Sequence, residues 1–212
     1  MYCNSNKHGN LKYIINIGEI LSMNINDKVL KPISDIIAPN LYILFVGYNP
    51  GIRSAETGYH YAGGSNRFWK LLYESGLTPY KLKPEESKKL LLFGFGSTNI
   101  VSRPTKSSAE ITASEYKEGA FRLKKLITSI SPRIVCYVGI GVYREFASAV
   151  LSIPKSKLVV AAGRQSMNIF DGSIDYVCSN PSGLNTIPYE KQLDCFKQLK
   201  ELLEHVKQME RK

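Results

Sequence analysis

Residues 41–69, LYILFVGYNPGIRSAETGYHYAGGSNRFW, decide how the rest of the chain is read. Residues 41–46 are an unbroken run of apolar, β-branched and aromatic side chains closed by Gly47. That is the pattern of a strand buried on both faces, not of one alternating between core and solvent. Gly47, Pro50 and Gly51 then break it in quick succession, which sets Tyr48 and Asn49 at the carboxyl end of a strand, where open α/β sheets take their ligands. Tyr59, His60 and Tyr61 follow between Gly58 and Gly63, three flat rings on a backbone free to bend around a ligand. Ser65 or Asn66 can cap a helix that turns Phe68, Trp69, Leu71 and Leu72 inward. The order is strand, polar turn, aromatic loop, helix. Two plainer readings stand beside it: Asn-Pro is a common turn dipeptide, and Tyr59 and Tyr61 alternate as packing strand residues do.

Outward from this stretch, Ile33, Ile36 and Ile37 have helical spacing before Pro39, which predicts a short helical turn leading into the first strand. Pro84, Glu85 and Glu86 start a helix that runs to about Leu92. GFGSTNIVSR, residues 94–103, reads either as a self-capping polar loop or as a second wall of the crevice, carrying Ser97, Thr98 and Asn99. Thr112 and Glu115 form a capping box ahead of Tyr116, Ala120, Leu123 and Ile127, so a helix is expected over 113–129. A strand over 133–138 and a helix over 142–151 flank Gly139 and Gly141. GIGVY has the look of a nucleotide loop but lacks the third glycine and the distal acid. Further strands are expected over 158–161 and 174–178, the last emptying into SNPSGLN. A long helix over 189–209 keeps Leu193, Phe196, Leu199, Leu203 and Val206 on one face. Strands alternating with helices imply a parallel sheet covered on both sides.

A chain of 212 residues can bury one substantial core. We expect a single domain over 32–212, preceded by an extension over 1–31 that is either a flexible arm or a short amphipathic appendage. A formal net charge of +10 favours an anionic partner, nucleic acid ahead of membrane lipid, with a lysine-rich solvated surface as the plainer alternative. Cys3, Cys136, Cys178 and Cys195 lie far apart with no C-x-x-C pair, so neither zinc nor iron–sulfur spacing is present. Cys136 and Cys178 sit within apolar strand-like runs and read as small buried hydrophobes of a reducing compartment. His8, His60 and His205 are dispersed without an acid cluster, and no metal or cofactor is expected. No stretch is long and apolar enough to span a bilayer, so a soluble intracellular protein without a membrane partner is expected.

Two polar turns, Asn49-Pro50-Gly51 and Asn180-Pro181-Ser182-Gly183-Leu184, would share one edge of a parallel sheet. GYNPG, TGYHYAGGSNRFW, GSTNIVSRPT and NPSGLN, in this order over residues 32–206, together resemble the mismatch-specific uracil/thymine-DNA glycosylase family of the uracil-DNA glycosylase superfamily. The resemblance implies an α/β fold, a three-layer α/β/α sandwich with a parallel central sheet. It implies a monofunctional, monomeric enzyme of base excision repair that hydrolyses the bond between a pyrimidine and deoxyribose. Its partner would be double-stranded DNA with G·U or G·T mismatches, its product an abasic site, and its location the nucleus if eukaryotic, otherwise the cytoplasm.

By the same resemblance, Asn49 matches the asparagine that positions the attacking water. Being neutral, it is no strong general base, so the reaction leans on departure of the base, with slow turnover and a preference for good leaving groups. Ser54 falls in the loop near the base and target phosphate, Tyr48 beside Asn49 is expected to bind substrate, Tyr61 matches the ring on which a flipped base stacks, and Asn99 matches a residue that contacts the pyrimidine. Asn99 and His60 both follow the eukaryotic thymine-processing branch, and His60 either helps the base depart or packs against Tyr59. Asn180, Ser182, Gly183, Leu184 and Asn185 match the wedge: Leu184 would fill the vacated stack while Gly183 and Asn185 face the widowed guanine. Thr186 stands where family members often carry arginine, which implies a weaker hold on lesion and product. The single-strand-selective branch, whose second motif begins with histidine and not Asn180, is the nearest enzymatic alternative. A mismatch-binding relative without catalysis is the alternative from another class, and a nucleotide-binding module would rest on GIGVY alone.

Overall fold

The apolar run folds as β1 (Ile43–Gly47), buried at every position. In a computed structural model that describes residues 30–211, it lies inside a five-stranded sheet, between β2 (Phe95–Asn99) at one edge and β3 (Ile134–Val138), with β5 (Ile174–Cys178) and then β4 (Gly163–Arg164) beyond. The extension expected over 1–31, with Cys3 and His8, lies almost wholly outside the described residues. β1, β2, β3 and β5 are parallel, and β4 closes one edge antiparallel to β5. The register puts Gly47 beside Asn99 and Val138 beside Cys178, so the carboxyl ends finish level along one edge.

Both faces of the sheet are covered, which is why its central strands read as continuous apolar runs. On one face Ile43, Phe45, Cys136 and Tyr176 pack under α2 (Phe68–Glu74) and α5 (Tyr189–Met209). On the other, Leu44, Val46, Tyr137 and Val177 pack under α3 (Ala113–Ile130) and α4 (Ile140–Leu151). The molecule is thus an α/β/α sandwich with a mostly parallel sheet. The Thr112–Glu115 capping box forms, with Glu115 N–H donating to Thr112 Oγ1 at 3.3 Å and Thr112 N–H to Glu115 Oε2 at 2.8 Å.

Three local expectations are corrected. Residues 94–103 contain β2, not only a loop: its Ser97 and Thr98 are buried, and side-chain partners from elsewhere in the fold satisfy them. Residues 158–161 form no strand. Leu158 and Val160 lean on the α3–α4 layer while Val159 is 98% exposed, and pairing with β5 begins only at Gly163. Ile33, Ile36 and Ile37 make no helical turn, because Ile36 is drawn into an antiparallel bridge with Ser97. The helix expected from Pro84 to about Leu92 is present over Pro84–Phe93, wound as a 3-10 helix. A helix not expected, α1 (Ile52–Thr57), stands between the polar turn and the aromatic rings.

Candidate active site

The level strand ends open into a cleft of about 650 Å³. Tyr48, Asn49, Ser54, His60, Tyr61, Asn99, Asn180, Ser182, Leu184 and Asn185 all line it. Gly183 alone of the predicted site residues sits behind the wall, where a Cβ would lie 2.4 Å from that of Ser65. The end of the aromatic loop is tied to the second turn there by Arg67 N–H donating to Pro181 C=O at 2.9 Å.

Asn49 is held by its nitrogen. Nδ2 donates to Arg103 C=O at 2.8 Å and to Thr105 Oγ1 at 2.7 Å. A carbonyl only accepts, so the NH₂ must face it, and this fixes which way round the amide lies. Thr105 gives its own hydrogen to Ser107 C=O at 2.7 Å, leaving its lone pairs for Asn49. Asn49 Oδ1 consequently has no protein partner among the described residues and is free to accept a hydrogen bond in the cleft. The main chain supports this: Ile100, Val101 and Thr105 donate to Gly47, Tyr48 and Pro50, zipping the two segments together.

Tyr61 forms a shelf. Its ring stacks on Phe68 with centroids 3.7 Å apart and planes at 19°, and meets Trp69 edge-on. Its backbone is left-handed, φ 51°, a conformation costing an L-residue about 1–3 kcal/mol and typically retained at functional sites. Burial raises its hydroxyl well above the ordinary tyrosine range. In the same cleft, Asn99 ends β2 with its side-chain amide free of protein partners among the described residues. Gly47 makes room: a Cβ there would come within 2.6 Å of Asn99 Oδ1.

His60 is 3% exposed. Nε2 meets Ser34 C=O at 3.0 Å and must donate to it, so Nδ1 accepts from Ser97 Oγ at 2.9 Å. Burial lowers its pKa, against the opposing pull of Ser34 and Asp35. The neutral ring thus spends both nitrogens on Ser34 and Ser97, which favours a supporting role for His60 over handing a proton to a departing base. Ser54 accepts from Ala62 N–H at 3.1 Å and pins α1 to the aromatic turn. The Tyr48 ring fills the space over Gly141, where a Cβ would lie 1.8 Å from its hydroxyl. The glycines of GIGVY thus leave room for a tyrosine, not for a nucleotide.

The second turn is braced internally. Asn180 Oδ1 accepts from Ser182 N–H at 3.0 Å, Ser182 Oγ from Leu184 N–H at 3.3 Å, and Asn185 Nδ2 donates to Asn180 C=O at 2.5 Å. On this rigid support Leu184 is 91% exposed. Sequence reasoning did not single out Thr105, the Arg103 carbonyl or Lys106, which also lines the cleft. The cleft lining contains no carboxylate and includes Arg53 and Lys106, so it suits a polyanion and offers neutral amides for chemistry. No group of three potential metal ligands gathers among the described residues, and no described helix is long and apolar enough to cross a membrane.

Residues 34–204 match the Uracil DNA glycosylase superfamily. The chain belongs to that superfamily. The solution NMR structure of a candidate uracil DNA glycosylase from Methanosarcina acetivorans shares the fold, with a TM-score of 0.54 at 16% sequence identity, covering 83% of this chain and 99% of that one. As a member of the uracil DNA glycosylase superfamily, the protein falls among DNA-acting hydrolases of N-glycosidic bonds. The superfamily match begins at Ser34, so it takes in the segment that holds His60 as well as both polar turns.

Proposed function

We propose that this superfamily member is a monofunctional, monomeric glycosylase that removes uracil, and thymine where its methyl group fits, from mispairs with guanine in double-stranded DNA. The observation that carries the reading is that the clamped Asn49 amide, the Tyr61 shelf and the Asn99 amide line one cleft that contains no carboxylate.

The target nucleotide leaves the stack and its base lies on Tyr61, with the Asn99 amide against the polar edge of the pyrimidine. Asn49 Oδ1 accepts a hydrogen bond from a water and holds it toward the sugar. The C1′–N1 bond breaks with its electron pair going to the base, the water oxygen bonds to C1′, and the water's proton passes to solvent. A neutral amide orients without removing a proton strongly, so the barrier is set by how well the base carries negative charge. Leu184 enters the vacated stack, and the backbone of Gly183 and Asn185 faces the widowed guanine. Ser54 and His60 keep the wall in place without touching the reacting atoms. Thr186, which offers no charge next to the wedge, fits a weak hold on the abasic product.

Single-turnover base release from G·U, G·T and A·U duplexes and from single-stranded uracil, at one fixed salt concentration, tests the reading. Release from G·U well above A·U is expected. Equal release from single strands would overturn the mismatch assignment, and binding to G·U without release would make the protein a mismatch binder.

A further inference from the structure

The end of β2 is gripped from outside the cleft. β2 is an edge strand, so the backbone groups of Ser97 and the carbonyl of Asn99 point away from β1 and need partners. Three consecutive residues upstream of β1 supply a strap. Ser34 C=O takes the His60 Nε2 hydrogen at 3.0 Å, Asp35 Oδ1 accepts from Thr98 Oγ1 at 2.6 Å, and Ile36 exchanges both backbone bonds with Ser97 at 2.8 Å. Arg122 of α3 completes the row. Its guanidinium donates to Asp35 Oδ2 at 3.1 Å and to the carbonyl of Asn99.

We propose that Asp35 and Arg122 are positioning residues for Asn99, fixing the strand end from which its amide reads the base. The inference rests on the role given to Asn99 above. Among the described residues the Asn99 amide has no protein partner to aim it, so its direction is set by its own main chain, held on one side by the ladder to Gly47 and on the other by Arg122. The Arg122 and Asp35 side chains are 41% and 26% exposed, and an ion pair at such exposure adds little to stability. What it adds is geometry: a planar fork can bridge a carboxylate and a carbonyl at once, whereas an ammonium is a single point charge. A second cavity of about 260 Å³, lined by Ser34, Asp35, Ser102 and Arg122 and reaching Asn99, lies beside the row. Once freed from Asp35, the guanidinium has room to swing away, and the strand end loses its outer support.

The test is a double-variant cycle on single-turnover release from G·U duplex, with 5-fluorouracil opposite guanine as a better leaving group that keeps slow variants measurable. Arg122→Gln, Arg122→Lys and Asp35→Asn are each expected to slow release about tenfold, the scale of a small misplacement at a reacting site. Affinity for a duplex already carrying an abasic site is expected to stay unchanged, because that product has no base for Asn99 to read. In an Asn99→Ala background the Arg122 variants are expected to add no further loss. The same tenfold loss in that background, full rescue by Arg122→Lys, or a matching loss of abasic-duplex affinity would each overturn the proposal. A wild-type protein that releases no base would instead overturn the function itself, a result distinct from all of these.

Discussion

Asn49 Nδ2 donates to Thr105 Oγ1 at 2.7 Å, joining the turn after β1 to the segment after β2. This bond, with the one to Arg103 C=O, leaves the amide oxygen and not its nitrogen for the cleft. Thr105→Val removes the acceptor while keeping the shape. Losing one such hydrogen bond is worth about 1 kcal/mol, so single-turnover base release is expected to fall about fivefold to tenfold with duplex binding intact. Thr105→Ser is expected to recover most of the rate, and equal loss in both variants would count against orientation by the hydroxyl.

Leu184 combines extreme exposure with a braced loop. Leu184→Ala is expected to change unfolding free energy by no more than about 0.5 kcal/mol, as for surface substitutions generally. Release from duplex is expected to drop about tenfold or more, because an inserted side chain offsets part of the few kcal/mol spent on unstacking. Release from single-stranded uracil serves as the internal comparison and is expected to be unaffected. A parallel loss on both substrates would show that Leu184 does not act in the stack.

Gly141 lies inside α4, where helix propensity alone would favour alanine by up to about 1 kcal/mol. Packing opposes it, since the new methyl would sit 1.8 Å from the Tyr48 hydroxyl. Overpacking is expected to win, with Gly141→Ala destabilising by about 1–3 kcal/mol in urea unfolding. In a Tyr48→Phe background the nearest atom becomes the ring carbon at 3.0 Å, and most of the loss is expected to disappear.

Asp175 is fully buried on β5 and accepts from Ile169 N–H at 2.7 Å and from the Tyr137 hydroxyl at 3.2 Å. Burial outweighs both bonds and pushes its carboxyl up to about 6 from 3.8. A carboxyl raised by folding favours the folded state while protonated, so its contribution is full below pH 3.8 and is lost as pH rises through about 6. Asp175→Asn avoids the buried charge and is expected to stabilise the protein by about 3 kcal/mol at pH 8 and hardly at all at pH 4. A difference that does not vary with pH would contradict this.

Much of this architecture was legible because period and burial coincide. The apolar run after residue 41, the capping box at Thr112 and the long apolar face after Tyr189 each predicted an element that is present, the last with identical ends. β2 was hidden because Ser97 and Thr98 look like loop residues until His60 and Asp35 satisfy them, and no local pattern announces partners so distant in sequence. Val159 and Val160 misled in the opposite way, with strand-forming side chains but no neighbouring strand on which to pair. The polar turns and the aromatic cluster were found by composition and converge on one cleft. The support of that cleft was not found. Thr105 follows an ordinary Arg-Pro dipeptide, and its importance appears only when the nitrogen of Asn49 is asked for its acceptors. His60 looked like part of an open aromatic loop, yet its two nitrogens are both taken.

Single-turnover formation of abasic sites in G·U duplex by wild type and by Asn49→Ala tests the central claim most directly. The account expects wild type to release uracil and Asn49→Ala to lose a factor on the order of 10², the scale on which misplacing a reacting group slows a reaction, with melting temperature and duplex affinity retained. Release at the same rate by both proteins, or no release by wild type, would contradict it.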